Sequence, residues 1–374
     1  MNCKFLFAVI AMLVCIGDAS SQTLPAPKVR PAVDAIMDAF QTHAIVGMHN
    51  NEGADNHDLA QQHDFYAALV RDPRFARDVG NVVVEFGAAS AQGIMDRYVN
   101  GENVPYTELR KVWTDTLGWS PPPVNLGYVN LFAQVRATNL ALPPAQRIHV
   151  WLGEPAIDWS KVRSLDDLNA LRAPGGTMMQ LRDESAAGII EREVLAKGHK
   201  ALVIYGGFHF LTDPVLTGGR TTMATLIEKK YPAAIYHVET YTGIGKDACN
   251  AEFEKTMKDA KAPVLLAPLS GTTLDALSFS ARCFAGQFSF PPTMPAAQQA
   301  EMIDHAKRWQ SDAMLYLGPV ASLTGSPFLP DIYMDGDYLN EVMRRQQLGG
   351  RKVTPSDLGI TVEKNPATPA PFKP

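Results

Sequence analysis

NVVVEFG, residues 81–87, sets three valines in a row and follows them with a carboxylate. β-Branched residues fit a pleated strand. The run has no polar alternation, so the spacing predicts a strand buried on both faces, as in a parallel sheet covered by helices. The same signature recurs on either side: AIVGM (44–48), RIHVWLGEP (147–155), KALVIYGGFHF (200–210), AAIYHVETY (233–241), APVLLAPL (262–269) and DAMLYLG (312–318). Segments with helical spacing alternate with these runs, among them residues 32–43, 63–72, 183–199, 221–232 and 296–310. Such alternation predicts an α/β fold with a mostly parallel sheet flanked by helices. A helical, aromatic stretch at about residues 90–145 reads as an insertion or cap over that body.

The chain has 374 residues, 46% of them apolar and 20% charged, which supports a sizeable core. The formal net charge is −5, and the most basic stretch, MRRQQLGGRK (343–352), is short. Nucleic acid is therefore not an expected partner, because phosphate neutralisation needs a clustered positive face. Residues 1–21 read as a secretory signal: Lys4 starts it, Phe5 to Gly17 is an apolar stretch too short for a membrane span, and small residues allow cleavage after Ser21 or after Ala19. Cys15 follows MLV, a poor lipoprotein context, so no stable membrane anchor is expected after cleavage. Residues 22–353 then form a single α/β domain that opens with the loosely held lead-in TLPAPKVRP and is followed by a flexible proline-rich tail, 354–374. Signal removal leaves Cys249 and Cys283, which in a periplasmic or secreted protein form a disulfide. The alternative is two buried free thiols.

Polar side chains collect after the strands. His49 and Glu52 follow AIVGM, Glu85 ends VVVE, Glu154 follows VWLG, and His209 follows IYGGF. Open α/β sheets bind ligands at the carboxyl ends of their strands, where these groups converge. Asp183, in LRDESAAG, serves either as a helix cap or in the site.

That order resembles the erythromycin esterase/ChaN-like/Tiki superfamily over about residues 40–240. In that superfamily one strand ends in glutamate, here Glu85; an Arg-Asp pair precedes a helix, here Arg182 and Asp183; and a later strand ends in histidine, here His209. The family's first motif, Leu-Gly-Glu-x-His-Gly, aligns with MHNNEG (48–53) and departs from it. Asn50 stands in the glutamate position and Glu52 in the position of the histidine base, while LAQQ (59–62) lacks the arginine of the following helix.

The resemblance implies a hydrolase-like protein acting on a small ester or amide. Glu85, His209, Glu52, His49 and Asp183 would be catalytic, and Asn50, Arg182 and Glu154 would bind the ligand. His49, Glu52, Glu85 and His209 form a set that could hold a divalent metal or run acid–base chemistry on water. The alternative is a binding protein that has lost the base and takes haem, iron or another small ligand, with His49 or Tyr205 as an axial ligand.

Overall fold

The computed structural model describes residues 24–50, 59–117, 126–286, 289–326 and 335–348. Eight strands form one sheet: β1 (Lys28–Pro31), β2 (Ile45–Asn50), β3 (Asn81–Ala88), β4 (His149–Glu154), β5 (Ala201–Ile204), β6 (Ile235–Thr240), β7 (Val264–Ala267) and β8 (Ala313–Tyr316). Their order is β1-β7-β8-β6-β2-β5-β3-β4. The strands from β8 to β4 are parallel neighbours, and β7 runs antiparallel to both β8 and β1. The α/β class and the mostly parallel sheet are as the apolar runs predict.

One expectation is corrected at the start of the chain. The lead-in is not loose, because Lys28–Pro31 pairs with β7 as an edge strand. Proline is tolerated there because an edge strand and its last residue can do without a ladder N–H.

Right-handed crossovers decide which helices cover which face. From β2 to β3 and on to β4 the chain moves toward one edge of the sheet. The helices on that path, α2 (Ala60–Arg71), α3 (Gln92–Val99) and α4 (Leu126–Leu140), pack beside α1 (Ala32–Ala39) on the face carrying Val46, Met48, Val82, Val84, Leu202 and Ile204. From β4 to β5 and from β5 to β6 the chain moves back. Its helices α5 (Met178–Glu193) and α6 (Met223–Lys230) therefore lie on the opposite face, against Ile45, Val83, Val203, Tyr205 and Ile235. β5 thus leaves the sheet toward one face while its neighbours β2 and β3 leave toward the other. Such a reversal opens a crevice at the carboxyl ends of these strands.

A third apolar cluster joins β7 and β8 to α7 (Asp247–Thr256) through Phe253, Met257, Leu266 and Tyr316. Cys249 and Cys283 are bridged inside it, with Cα atoms 5.8 Å apart. α8 (Ala296–Ala306) leads into β8, and α9 (Gly336–Leu348) carries Arg344 and Arg345 of the basic stretch. Arg344 donates to the Val162 and Trp159 carbonyls, while Arg345 ion-pairs with Asp115 and Glu341. These arginines fasten a helix to the body.

The disulfide closes a 34-residue separation, for which loop-closure entropy is worth about 3–4 kcal/mol. A Cys249→Ser/Cys283→Ser chain should lose about that much stability relative to the oxidised protein in denaturant titrations, with the native circular dichroism kept.

Candidate functional site

Three strands and one helix build the buried polar centre. Glu85 lies two residues after Val83 on β3, so it faces α5. Glu154 is the last residue of β4. Arg182 and Asp183 are consecutive within α5, which starts earlier than the sequence suggests, with Thr177 as its N-cap. Arg182 donates from Nε to Glu154 Oε1 at 2.5 Å and from Nη2 to Glu85 Oε1. Glu85 Oε2 accepts the Gly206 amide at 2.6 Å, and Glu154 Oε2 accepts the Leu117 amide at 3.1 Å. Burial works against the guanidinium charge, but the two glutamates outweigh it and hold the Arg182 pKa above its ordinary value. Glu154 is fully sealed, so its part is to position Arg182 rather than to touch a ligand.

His209 sits in the helical turn Gly207–Phe210 just after β5. Its Nδ1 lies 2.6 Å from Asp183 Oδ1 and its Nε2 3.3 Å from Glu85 Oε1. Asp183 also accepts the first amide of α6, from Met223, at 2.9 Å, so it is both a cap for the next helix and a partner of the histidine. Burial disfavours the imidazolium, but the Glu85 charge and the Asp183 hydrogen bond overcome that and raise the pKa to about 9. Tyr205 packs edge-on to His209 at 5.3 Å, and burial pushes its phenol well above the usual range. Its Oη is buried and has no hydrogen-bond partner among the described residues. Gly153 makes room for it, since a Cβ there would lie 1.7 Å from Oη.

His49, Glu239 and Ser311 form a second cluster on the same face. His49 pairs in register with Glu239 across β2 and β6. Ser311 Oγ lies 3.1 Å from His49 Nε2 and donates to Glu239 Oε2 at 3.1 Å. Phe210 stacks on His49 at 5.1 Å, and it follows His209 directly in the chain. Burial raises the Glu239 carboxyl to about 7, against the opposing Ser311 hydrogen bond.

The structure therefore brings Glu85, Asp183, Arg182, Glu154 and His209 into one cluster, with His49 in a neighbouring one. Glu52 and the side chain of Asn50 lie outside the described residues, as do the signal segment and the tail. Among the described residues no three His, Cys, Asp or Glu side chains are grouped to hold a metal ion. Glu85 already serves Arg182 and the Gly206 amide, and Glu52, a member of the expected ligand set, is not among the described residues. For haem, Tyr205 is packed away and His49 Nε2 faces Ser311, so neither presents an open axial position.

Glu239 and Ser311 were missed by the sequence reading. Glu239 had a signal, because HVET alternates His237 and Glu239 onto one strand face. Ser311, in the loop before β8, had none.

A cleft of about 860 Å³ lies off the clusters, lined by Ser90, Ile157, Trp159, Lys111 and Arg163 among others. It contains none of the expected site residues.

No family model matches this chain, and no curated protein matches it. Two solved structures are similar in outline. One is a protein from Bacillus cereus, at 11% identity and a TM-score of 0.45, covering 81% of this chain and 97% of that one. The other is the type III effector HopBA1, at 14% identity and a TM-score of 0.32, covering 58% of this chain and 88% of that one.

Removing Arg182 leaves two carboxylates uncompensated in a dry site, which typically costs about 3–5 kcal/mol. Arg182→Met should lose stability on that scale in urea titration, and Arg182→Lys should recover only part of it because one ammonium cannot bridge both glutamates. The raised His209 pKa adds a pH dependence. Its stabilisation is complete below about 6.5, the free imidazole value, and is lost as pH rises through about 9. Unfolding curves at pH 6 and pH 10 should differ more for wild type than for His209→Gln.

Proposed function

We propose that this protein is an exported hydrolase that cleaves a small ester or amide by acid–base chemistry at the carboxyl edge of its sheet. The observation that carries the reading is His209, held at one ring nitrogen by Asp183 and at the other by Glu85. Proton donors are recognised by an environment that keeps the proton on at working pH. The Nδ1 contact is short and fixes the ring, whereas the Nε2 contact, at 3.3 Å, is the one that can be exchanged for a substrate oxygen. In this scheme His209 gives its Nε2 proton to the departing group, Asp183 keeps the ring oriented, and Glu85 supports the positive charge. Arg182 and Glu154 keep Glu85 in place.

Export is supported by the N-terminal signal pattern and by the disulfide, which suits an oxidising compartment. Among the described residues no helix is long and apolar enough to cross a membrane.

The cleft that lies off the clusters favours a second reading, a small-ligand binding protein, because apolar walls from Ile157 and Trp159 meet side chains of both charges there, Lys111 and Arg163 with Asp115 and Asp158. Titration with haemin, read in the Soret region, tests the haem form of that reading.

The hydrolase reading is tested with a panel of small p-nitrophenyl and alkyl esters and amides. General acid–base groups contribute about 10²–10⁴-fold. His209→Gln and Glu85→Gln should each lose activity on that scale, and the wild-type rate should fall as pH rises through about 9. An active wild type whose rate is unchanged by both substitutions would refute the assignment.

A further inference from the structure

We propose that Ser311 is a nucleophile of acyl transfer, its hydroxyl placed by His49 and deprotonated by Glu239. The inference rests on the hydrolase reading and adds a covalent step to it.

A nucleophilic hydroxyl needs a base within hydrogen-bond reach and a scaffold that holds both. Ser311 Oγ has two polar neighbours, each at 3.1 Å: Glu239 Oε2, to which it donates, and His49 Nε2. Its backbone is pinned by the next residue: Asp312 donates its amide to the His237 carbonyl at 2.9 Å, and its carboxylate accepts the His237 amide at 2.8 Å. His49 is fixed by β2 and by the ring of Phe210. Phe210 reaches it because residue 47 is glycine, where a Cβ would lie 2.3 Å from the ring.

The carboxylate is what separates this cluster from ordinary buried polarity. Glu85 and Glu154 are each held by the Arg182 guanidinium and by a backbone amide. Glu239 is as deeply placed, at 6% exposure, yet among the described residues the hydroxyl of Ser311 is its hydrogen-bond partner. A buried carboxyl without a cation costs stability and is kept where its protonation is used. Burial also raises its affinity for a proton, to a pKa of about 7, which makes it a competent base near neutrality. His49 and Ser311 each keep 7% exposure, so the cluster is dry without being sealed.

The step balances as follows. Glu239 takes the Oγ proton as Oγ bonds to the substrate carbonyl carbon. The tetrahedral intermediate then expels the alcohol or amine, which takes the Nε2 proton of His209. Water attacks the acyl-serine as it gives a proton back to His209, and Glu239 returns its proton to Oγ as the C–O bond breaks.

The test treats the full mature protein with a fluorophosphonate and, separately, with p-nitrophenyl acetate quenched in acid, followed by peptide mass spectrometry. The expected result is one adduct mapped to Ser311, absent in Ser311→Ala, together with a 10²-fold or greater fall in ester hydrolysis for that variant. Ser311→Cys should restore a site that iodoacetamide alkylates. If the wild type hydrolyses the ester but carries no adduct, and Ser311→Ala keeps its rate, the nucleophile assignment is overturned and the hydrolase reading stands. If the wild type neither hydrolyses the panel nor takes a label, both fall.

Discussion

The guanidinium of Arg182 is the constraint on which the site depends. It enters from α5 and ends between Glu85 of β3 and Glu154 of β4, so one side chain ties a helix to two strands in a dry setting. Charges are expensive to bury unless each finds a partner. Once Arg182 is committed, the register of α5 over the sheet is set, because a shift of one residue would rotate the helix by about 100° and unpair all three groups. The same register places Asp183 toward the neighbouring strand, where it meets His209 and the first amide of α6. Two consecutive helix residues thus anchor the ends of β3, β4 and β5.

Topology explains why these groups meet on one face. The chain moves one way from β2 to β4 and then back through β5 to β6, and right-handed crossovers send α5 and α6 to the face opposite α2, α3 and α4. Alternate residues of β2, β3 and β6 point to that second face, which is why His49, Glu85 and Glu239 share it with the turn after β5. Small residues clear the space. Gly47 admits Phe210, and Gly153 admits the hydroxyl of Tyr205.

Much of this was legible in the chain. Runs such as VVV (82–84) are hard to read as anything but buried strands, and a glutamate at the end of such a run demands a partner. Reading residues 1–21 as a signal left two cysteines to pair, and Cys249–Cys283 is bridged. The illegible parts share a cause, which is that long-range pairing decides them. Lys28–Pro31 is polar and proline-tipped, and it becomes a strand because β7 offers it an open edge. Glu154 looked like a ligand-facing acid, yet its role follows from an arginine 28 residues away. Ser311 lies in an unremarkable loop, and its two partners come from strands 72 and 262 residues earlier.

The two clusters solve the same electrostatic problem in opposite ways, and the proposed chemistry rests on that contrast. Around Arg182 the carboxylates are saturated with donors from a guanidinium and backbone amides, an arrangement that fixes charge and geometry. Around Glu239 the described residues supply one hydroxyl donor, from Ser311, and the proton is left to decide the charge. His209 stands between these regimes: Asp183 and Glu85 keep its proton on, while the ring of the next residue, Phe210, lies against His49. A group that holds its proton and a group that gives it up near neutrality are what acid–base chemistry needs as a pair. Here they are reached from one turn after β5, at the point where the chain reverses direction across the sheet.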